Sequence, residues 1–423
     1  MYVLENANAN AARGACLIAA LLLSGCGAVD GILGGGRNAN PLDLSTVDDR
    51  AASTVWETGP NSAFDAAEFV DLTVQPVAVR GRLDDPEDVD VFDLGPVLPG
   101  DRVFVEMSAA GDLEAALALF DDGGAAQLVN DHRNVYLGRS TPFIDVIIRR
   151  PADACWVTVA ATPGFSTRGD YALMTSVQPG LPLPDVHPDV VLLDFRGGSN
   201  VRIGSRSAVN VPPFDASNIS REFSPTVTDA MIRQIVATVR EDYEGFNVTI
   251  LSTSEGAADN GLMTRLYFGT YDPALLGVAE GVDEFNADTR QSAIVFTDTF
   301  SAFMRLDPTV SEMSQAVANV ASHEIGHLLG LVHTDDPAGL MDVTASLREL
   351  TKDQHFRKSP LYSAVFPIGF QDAVQSLLDS VGGDPSFVRF KESDADRHKV
   401  VIDDDEPRVP ARAGLHLSTC GAE

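Results

Sequence analysis

Positive charge is what this chain has least of. Lys and Arg number 30 against 61 Asp and Glu, for a formal net charge of −31 and a pI near 4.4. Phosphate repels such a surface, which excludes nucleic acid as a partner. Long apolar runs are missing too: Leu17 to Leu23 is far shorter than the roughly 20 residues a membrane-spanning helix needs, and no other segment is long and apolar enough. Cysteine is scarce, with four in 423 residues, and histidine is little commoner, with eight. What is present is an apolar content of 44%, enough to bury sizeable cores, in a length that fits two to three domains.

Three of the eight histidines fall in one run, His323-Glu324-Ile325-Gly326-His327-Leu328-Leu329-Gly330-Leu331-Val332-His333. His323 and His327 are four residues apart, so on a helix both imidazoles stand on one face and can address one metal ion. A continued helix would carry residue 333 round to another face, so the chain must leave the helix for His333 to fold back. Gly330 permits that turn, because glycine enters left-handed backbone conformations without steric cost. Three neutral imidazoles then hold a zinc ion at about 2.0–2.1 Å and leave its fourth position open, which marks a catalytic rather than a closed structural site. Glu324 follows the first ligand directly and can act on water there as general base, then as proton shuttle to a leaving amine. The run therefore predicts a zinc endopeptidase site.

The flanks predict a long helix ending at the site. Thr309-Val310-Ser311-Glu312 has a hydroxyl at the cap and a glutamate three residues on, the capping-box pattern. Met313, Val317, Val320, Ala321, Ile325 and Leu328 recur at three- and four-residue spacing and describe one buried face over about 310–329.

The extended motif resembles the metzincin clan of zinc peptidases, whose pattern H-E-x-x-H-x-x-G-x-x-H, followed by a methionine turn, is matched here without substitution. The short distance to Leu340-Met341 is similar to the matrixin subgroup. The resemblance implies that Met341 packs beneath the metal without binding it. Asp342-Val343 follow where astacin-like and serralysin-like relatives carry a tyrosine that reaches the zinc, so no fifth protein ligand is expected. It also implies an α+β catalytic domain, a twisted sheet with the active-site helix. The apolar runs 190–195, 246–251, 263–268 and 292–297 supply its strands, and the helical spacing over 226–243 a backing helix. By the same resemblance, 276–279 is an edge strand that pairs with extended polypeptide substrate.

Between residues 63 and 180, short β-rich runs separated by Gly, Pro and Asp predict an all-β sandwich. Asp88-Val89-Asp90-Val91-Phe92-Asp93-Leu94 resembles the bacterial pre-peptidase C-terminal domain found beside secreted peptidases. The acidic stretch Asp84 to Asp90 reads first as a solvated face and second as a calcium site, since calcium favours oxygen ligands. Gly180-Leu181-Pro182-Leu183-Pro184 makes a stiff boundary before a catalytic domain over 186–382, and a polar tail occupies 383–423.

At the other end, Leu23-Ser24-Gly25-Cys26 is similar to the lipobox of bacterial lipoproteins. That resemblance implies a signal peptide over 1–25, a lipid on Cys26, and a cell-envelope location by lipid anchor, in the outer membrane or extracellular after release. Residues 26–62 read as a flexible tether. Cys155 and Cys420 remain, either joined in one disulfide or with Cys155 as a buried free thiol. The whole is expected to be a multidomain, lipid-anchored zinc endopeptidase acting on polypeptides. The alternative is a surface binding protein that keeps a structural or vestigial zinc site.

Overall fold

The computed structural model describes residues 44–130, 141–223, 225–384 and 417–420. The expected signal peptide, Cys26, the start of the expected tether and most of residues 383–423 lie outside the described residues.

A short helix α1 (Val47–Arg50) and strand β1 (Ser53–Trp56) come first. Nine strands follow: β2 (Glu68–Phe69), β3 (Val77–Leu83), β4 (Val89–Asp93), β5 (Arg102–Ala109), β6 (Ala115–Asp121), β7 (Ala126–Asn130), β8 (Phe143–Ile147), β9 (Cys155–Ala161) and β10 (Gly169–Gln178). They form two five-stranded sheets, ordered β1-β3-β10-β5-β8 and β2-β4-β9-β6-β7. Side-chain alternation explains why the sheets face each other. Val103, Val105 and Met107 of β5 point into the shared core with Leu117 and Leu119 of β6, while Arg102 and Phe104 turn outward. The sandwich begins earlier than residue 63, the expected start. Val47 is fully buried, and β1 runs parallel to β3 within the sheet. The polar sequence around these few residues hid them, because β1 exists through its partner strand rather than through a pattern of its own.

The second half contains β11 (Asp189–Asp194), a hairpin β12 (Gly198–Val201) and β13 (Val209–Val211), and α2 (Pro225–Asp242). Strands β14 (Val248–Ser252), β15 (Thr264–Phe268), β16 (Leu275–Ala279) and β17 (Ser292–Val295) precede the long helix α3 (Val310–Leu328). Beyond it come β18 (Thr344–Ala345), α4 (Leu347–Leu350), β19 (Lys358–Pro360), β20 (Phe370–Asp372), α5 (Ala373–Ser380) and β21 (Leu417–Cys420). One sheet is ordered β14-β11-β15-β17-β16-β21-β18, with β16 antiparallel to β17 and the four strands before it mutually parallel. Both faces of its centre are covered. Leu266 and Phe268 pack with Ile235 and Val239 of α2 and Val317 and Ile325 of α3 on one side. Tyr267 and Ile294 pack with Val201 and Val211 of the hairpin on the other. The strands expected from apolar runs lie within about two residues of those observed, whereas the covering hairpin, at 198–211, was not expected.

The two halves are packed together rather than strung on a linker. Leu117 and Leu119 of β6 face the sandwich core, yet Ala116, Ala118 and Phe120 on its opposite face are buried as well, against Leu361 and Phe366. The rings of Phe120 and Phe366 lie 5.7 Å apart, and the Phe370 amide donates to the Gly124 carbonyl at 2.9 Å. Cys155 is a free thiol buried in the sandwich core, where burial pushes its pKa up to about 12. Of the two readings of this cysteine, the disulfide with Cys420 is therefore set aside. Among the described residues no helix is long and apolar enough to cross a membrane.

Candidate metal centre and its cleft

Helix α3 carries the first two histidines, and its start is fixed by the expected capping box. Thr309 Oγ1 accepts from the Glu312 amide at 3.2 Å, and the Glu312 carboxylate accepts from the Thr309 amide at 2.8 Å. The helix ends at Leu328, and Gly330 takes φ +98°, where a Cβ would lie 3.0 Å from the Asp283 carbonyl oxygen. That left-handed residue turns the chain so that His333 comes back to the helix.

The three histidines converge. His327 Nε2 lies 3.1 Å from His323 Nε2 and 3.2 Å from His333 Nε2. His323 Nδ1 is 2.6 Å from the Leu340 carbonyl and His327 Nδ1 is 2.7 Å from the Leu331 carbonyl. A carbonyl can only accept, so each of those Nδ1 atoms carries the proton and donates, leaving Nε2 as a bare lone pair. Lone pairs of this kind repel when brought this close, and a cation between them removes the conflict. Ligands at about 2.0–2.1 Å around a tetrahedral ion stand roughly 3.3 Å apart, which these separations fit. Burial is the main force holding all three pKa values down, to about 4 for His327 and well below the ordinary histidine range for His323 and His333. The imidazoles are thus neutral near pH 7, the form that binds metal.

Glu324 is fully buried, as is His327, and its side chain packs on Gly277 of β16. A Cβ on Gly277 would collide with the Glu324 carboxylate, lying 2.7 Å from its Cδ. Met341 is buried below the helix, with its sulfur where a Cβ on Gly326 would come within 2.7 Å. Glycine at 326 is what lets the methionine lie directly under the turn between His323 and His327. The Thr334 amide donates to the Met341 carbonyl at 2.8 Å, closing the loop that returns from His333.

Sequence reasoning missed the parts made of backbone. The Leu340 and Leu331 carbonyls orient the imidazoles, and nothing in a side-chain pattern marks a carbonyl for that task. Gly277 was unmarked for the same reason, since its role is to have no side chain. A second group, Asp242, Asp353 and His355, also brings ligand-type atoms within 4.8 Å. Asp242 accepts from the Ser322 hydroxyl at 2.5 Å, and burial raises its carboxyl to about 7. The acidic stretch of the sandwich is for the most part the solvated face expected first, with Asp84, Asp85 and Glu87 exposed. Asp88 and Asp85 accept amides of their own turn, while Asp90 points inward and accepts from the Tyr171 hydroxyl at 2.6 Å. Burial raises Asp90 to about 8. Among the described residues no three carboxylates converge there.

No curated protein matches the chain. Several solved structures are similar in part. Archaemetzincin from Methanopyrus kandleri is 16% identical over 40% of this chain and 87% of its own, with a TM-score of 0.23. A zinc-dependent peptidase from Methanocorpusculum labreanum is 20% identical over 39% of this chain and 93% of its own, with a TM-score of 0.20. The pre-peptidase C-terminal domain of a Bacillus anthracis collagenase is 13% identical over 28% of this chain and all of its own, also at 0.20. Scores this low carry no argument by themselves. The family match is more specific: residues 278–359, which hold all three histidines, Glu324 and Met341, match the matrixin family model and support a zinc-dependent peptidase.

Proposed function

We propose that the chain is a zinc endopeptidase in which His323, His327 and His333 hold the metal and Glu324 is the general base. The observation that carries this reading is the convergence of three histidines, with His327 Nε2 at 3.1 Å from His323 Nε2 and 3.2 Å from His333 Nε2, beside a buried carboxylate. Zinc, when bound, would polarise the carbonyl of the scissile peptide and acidify a water molecule. Glu324 takes the proton of the attacking water and returns it to the departing amine nitrogen. Leu340 and Leu331 keep the imidazoles in the tautomer that presents Nε2, and Met341 supports the floor on which they stand. Strand β16 offers its backbone to an extended polypeptide and holds it alongside Glu324.

The closed site, with Glu324 and His327 inaccessible to solvent, favours one second reading: a structural zinc in a binding protein. Chelation and reloading separate the two. The endopeptidase reading expects cleavage of mixed peptides that stops on metal removal and returns with one equivalent of zinc. Retention of zinc with no cleavage by any form of the chain favours the structural reading.

The same proposal places the protein at the cell envelope through a lipid on Cys26, supported by the sequence Leu23-Ser24-Gly25-Cys26. Replacing Cys26 by Ala is then expected to move the protein from the membrane to the soluble fraction. An unchanged distribution contradicts the anchor. Calcium has no part in the reaction proposed.

A further inference from the structure

Strand β16 is the element against which a polypeptide substrate would lie, but its outer edge is already taken. Leu417–Cys420, forming β21, runs parallel to it, with Leu275 opposite Ser418 and Gly277 opposite Cys420. On its other side β21 pairs antiparallel with β18, Thr344 opposite Ser418 and Ala345 opposite Leu417. Four residues from the far end of the chain therefore lie between the two backbones that flank the candidate site. Gly277 is the residue packed against the Glu324 carboxylate, so the register sets β21 beside the point of β16 where the proposed base packs. Strand β18 begins three residues after Met341, on the segment that returns from beneath the histidines. The burial of His323, Glu324 and His327, at 1%, 0% and 0% exposure, agrees with a covered site.

A sheet edge has one row of outward amide and carbonyl groups, and a strand that pairs with it leaves none for another. Resting on the endopeptidase reading, we infer that Leu417–Cys420 occupies the substrate's place on β16 and holds the enzyme closed until it is displaced. Residues 385–416 could span on the order of 100 Å if extended, so reach from Asp384 back to the cleft is not a constraint. The device is an intramolecular competitor. Its affinity is set by effective concentration, and a few backbone pairs suffice when the strand is tethered to the sheet it covers.

Two variants test it against the full zinc-loaded chain: deletion of residues 417–423, and Ser418→Pro, which removes the amide at the position paired on both sides. Zinc content and thermal unfolding confirm that each is folded. The inference expects both to cut a reporter peptide at least about 10-fold faster than the full chain. It also expects the amides of Leu275–Ala279 to exchange hydrogen faster in both, and a synthetic peptide of residues 413–423 to restore protection and inhibit the deleted form. Equal cleavage with equal exchange of Leu275–Ala279 in all three proteins would overturn it. If protection is lost and the peptide restores it but no form cuts, the strand's occupancy of β16 stands and the peptidase reading falls.

Discussion

At the scale of single residues, the site depends as much on what is missing as on what is present. Gly277 and Gly326 leave room for the Glu324 carboxylate and the Met341 sulfur, and a methyl group at either position forces that side chain to shift. Gly277→Ala is expected to lower kcat by about 10-fold or more while zinc content stays at one per chain, because it displaces the proposed base and not the ligands. Loss of zinc in that variant would contradict the assignment. Asp242 offers a test through pH. Its folded-state pKa, about 7, lies above the ordinary value of 3.8, so the folded protein binds the proton more tightly than the unfolded chain. The associated stability is present below about pH 4 and is lost as pH rises through 7. Asp242→Asn is expected to flatten that decline, matching the parent near pH 4 and exceeding it at pH 8 by on the order of a few kcal/mol, read as the melting temperature across pH. The histidine spacing and Gly330 were legible because side-chain identity and backbone freedom are written in the sequence. The orienting carbonyls were not, since every residue has one.

At the scale of elements, legibility followed length. Helix α3 could be placed to within a residue because its apolar spacing runs over five turns and its capping box is spelled out in side chains. Thr309→Ala removes the acceptor for the Glu312 amide and is expected to cost about 1 kcal/mol, seen as a lower melting temperature with zinc binding unchanged. No change in stability would mean the box does not hold the helix start. Strands β18, β19, β20 and β21 have two to four residues each and no period to read. They exist only through their partners, so the sequence alone had nothing to display. The same holds for β1, whose position extends the sandwich into what reads as tether.

For the whole molecule, β6 is the informative strand. Its run Ala115 to Phe120 is apolar on both faces, which a sandwich standing alone in water would not need. The outer face is spent on Leu361 and Phe366 of the other half, so the two halves share a core. Phe366→Ala is expected to cost about 3 kcal/mol or more and to separate a single calorimetric transition into two, as each half loses the support of the other. Two transitions already present in the parent would contradict a shared core. The docking was invisible beforehand because an apolar strand face does not say what covers it. The acid excess, in contrast, was legible from composition, though not which carboxylates, such as Asp90 and Asp189, turn inward.

The central claim is that Glu324 acts as base at a zinc held by His323, His327 and His333. Its most direct test is cleavage of denatured casein by the zinc-loaded chain lacking residues 417–423, beside the same form carrying Glu324→Ala, with zinc measured in both. The account predicts one zinc in each and a fall in rate of at least about 100-fold on losing the carboxylate. Equal rates, or no cleavage by either form with zinc bound in both, would contradict it.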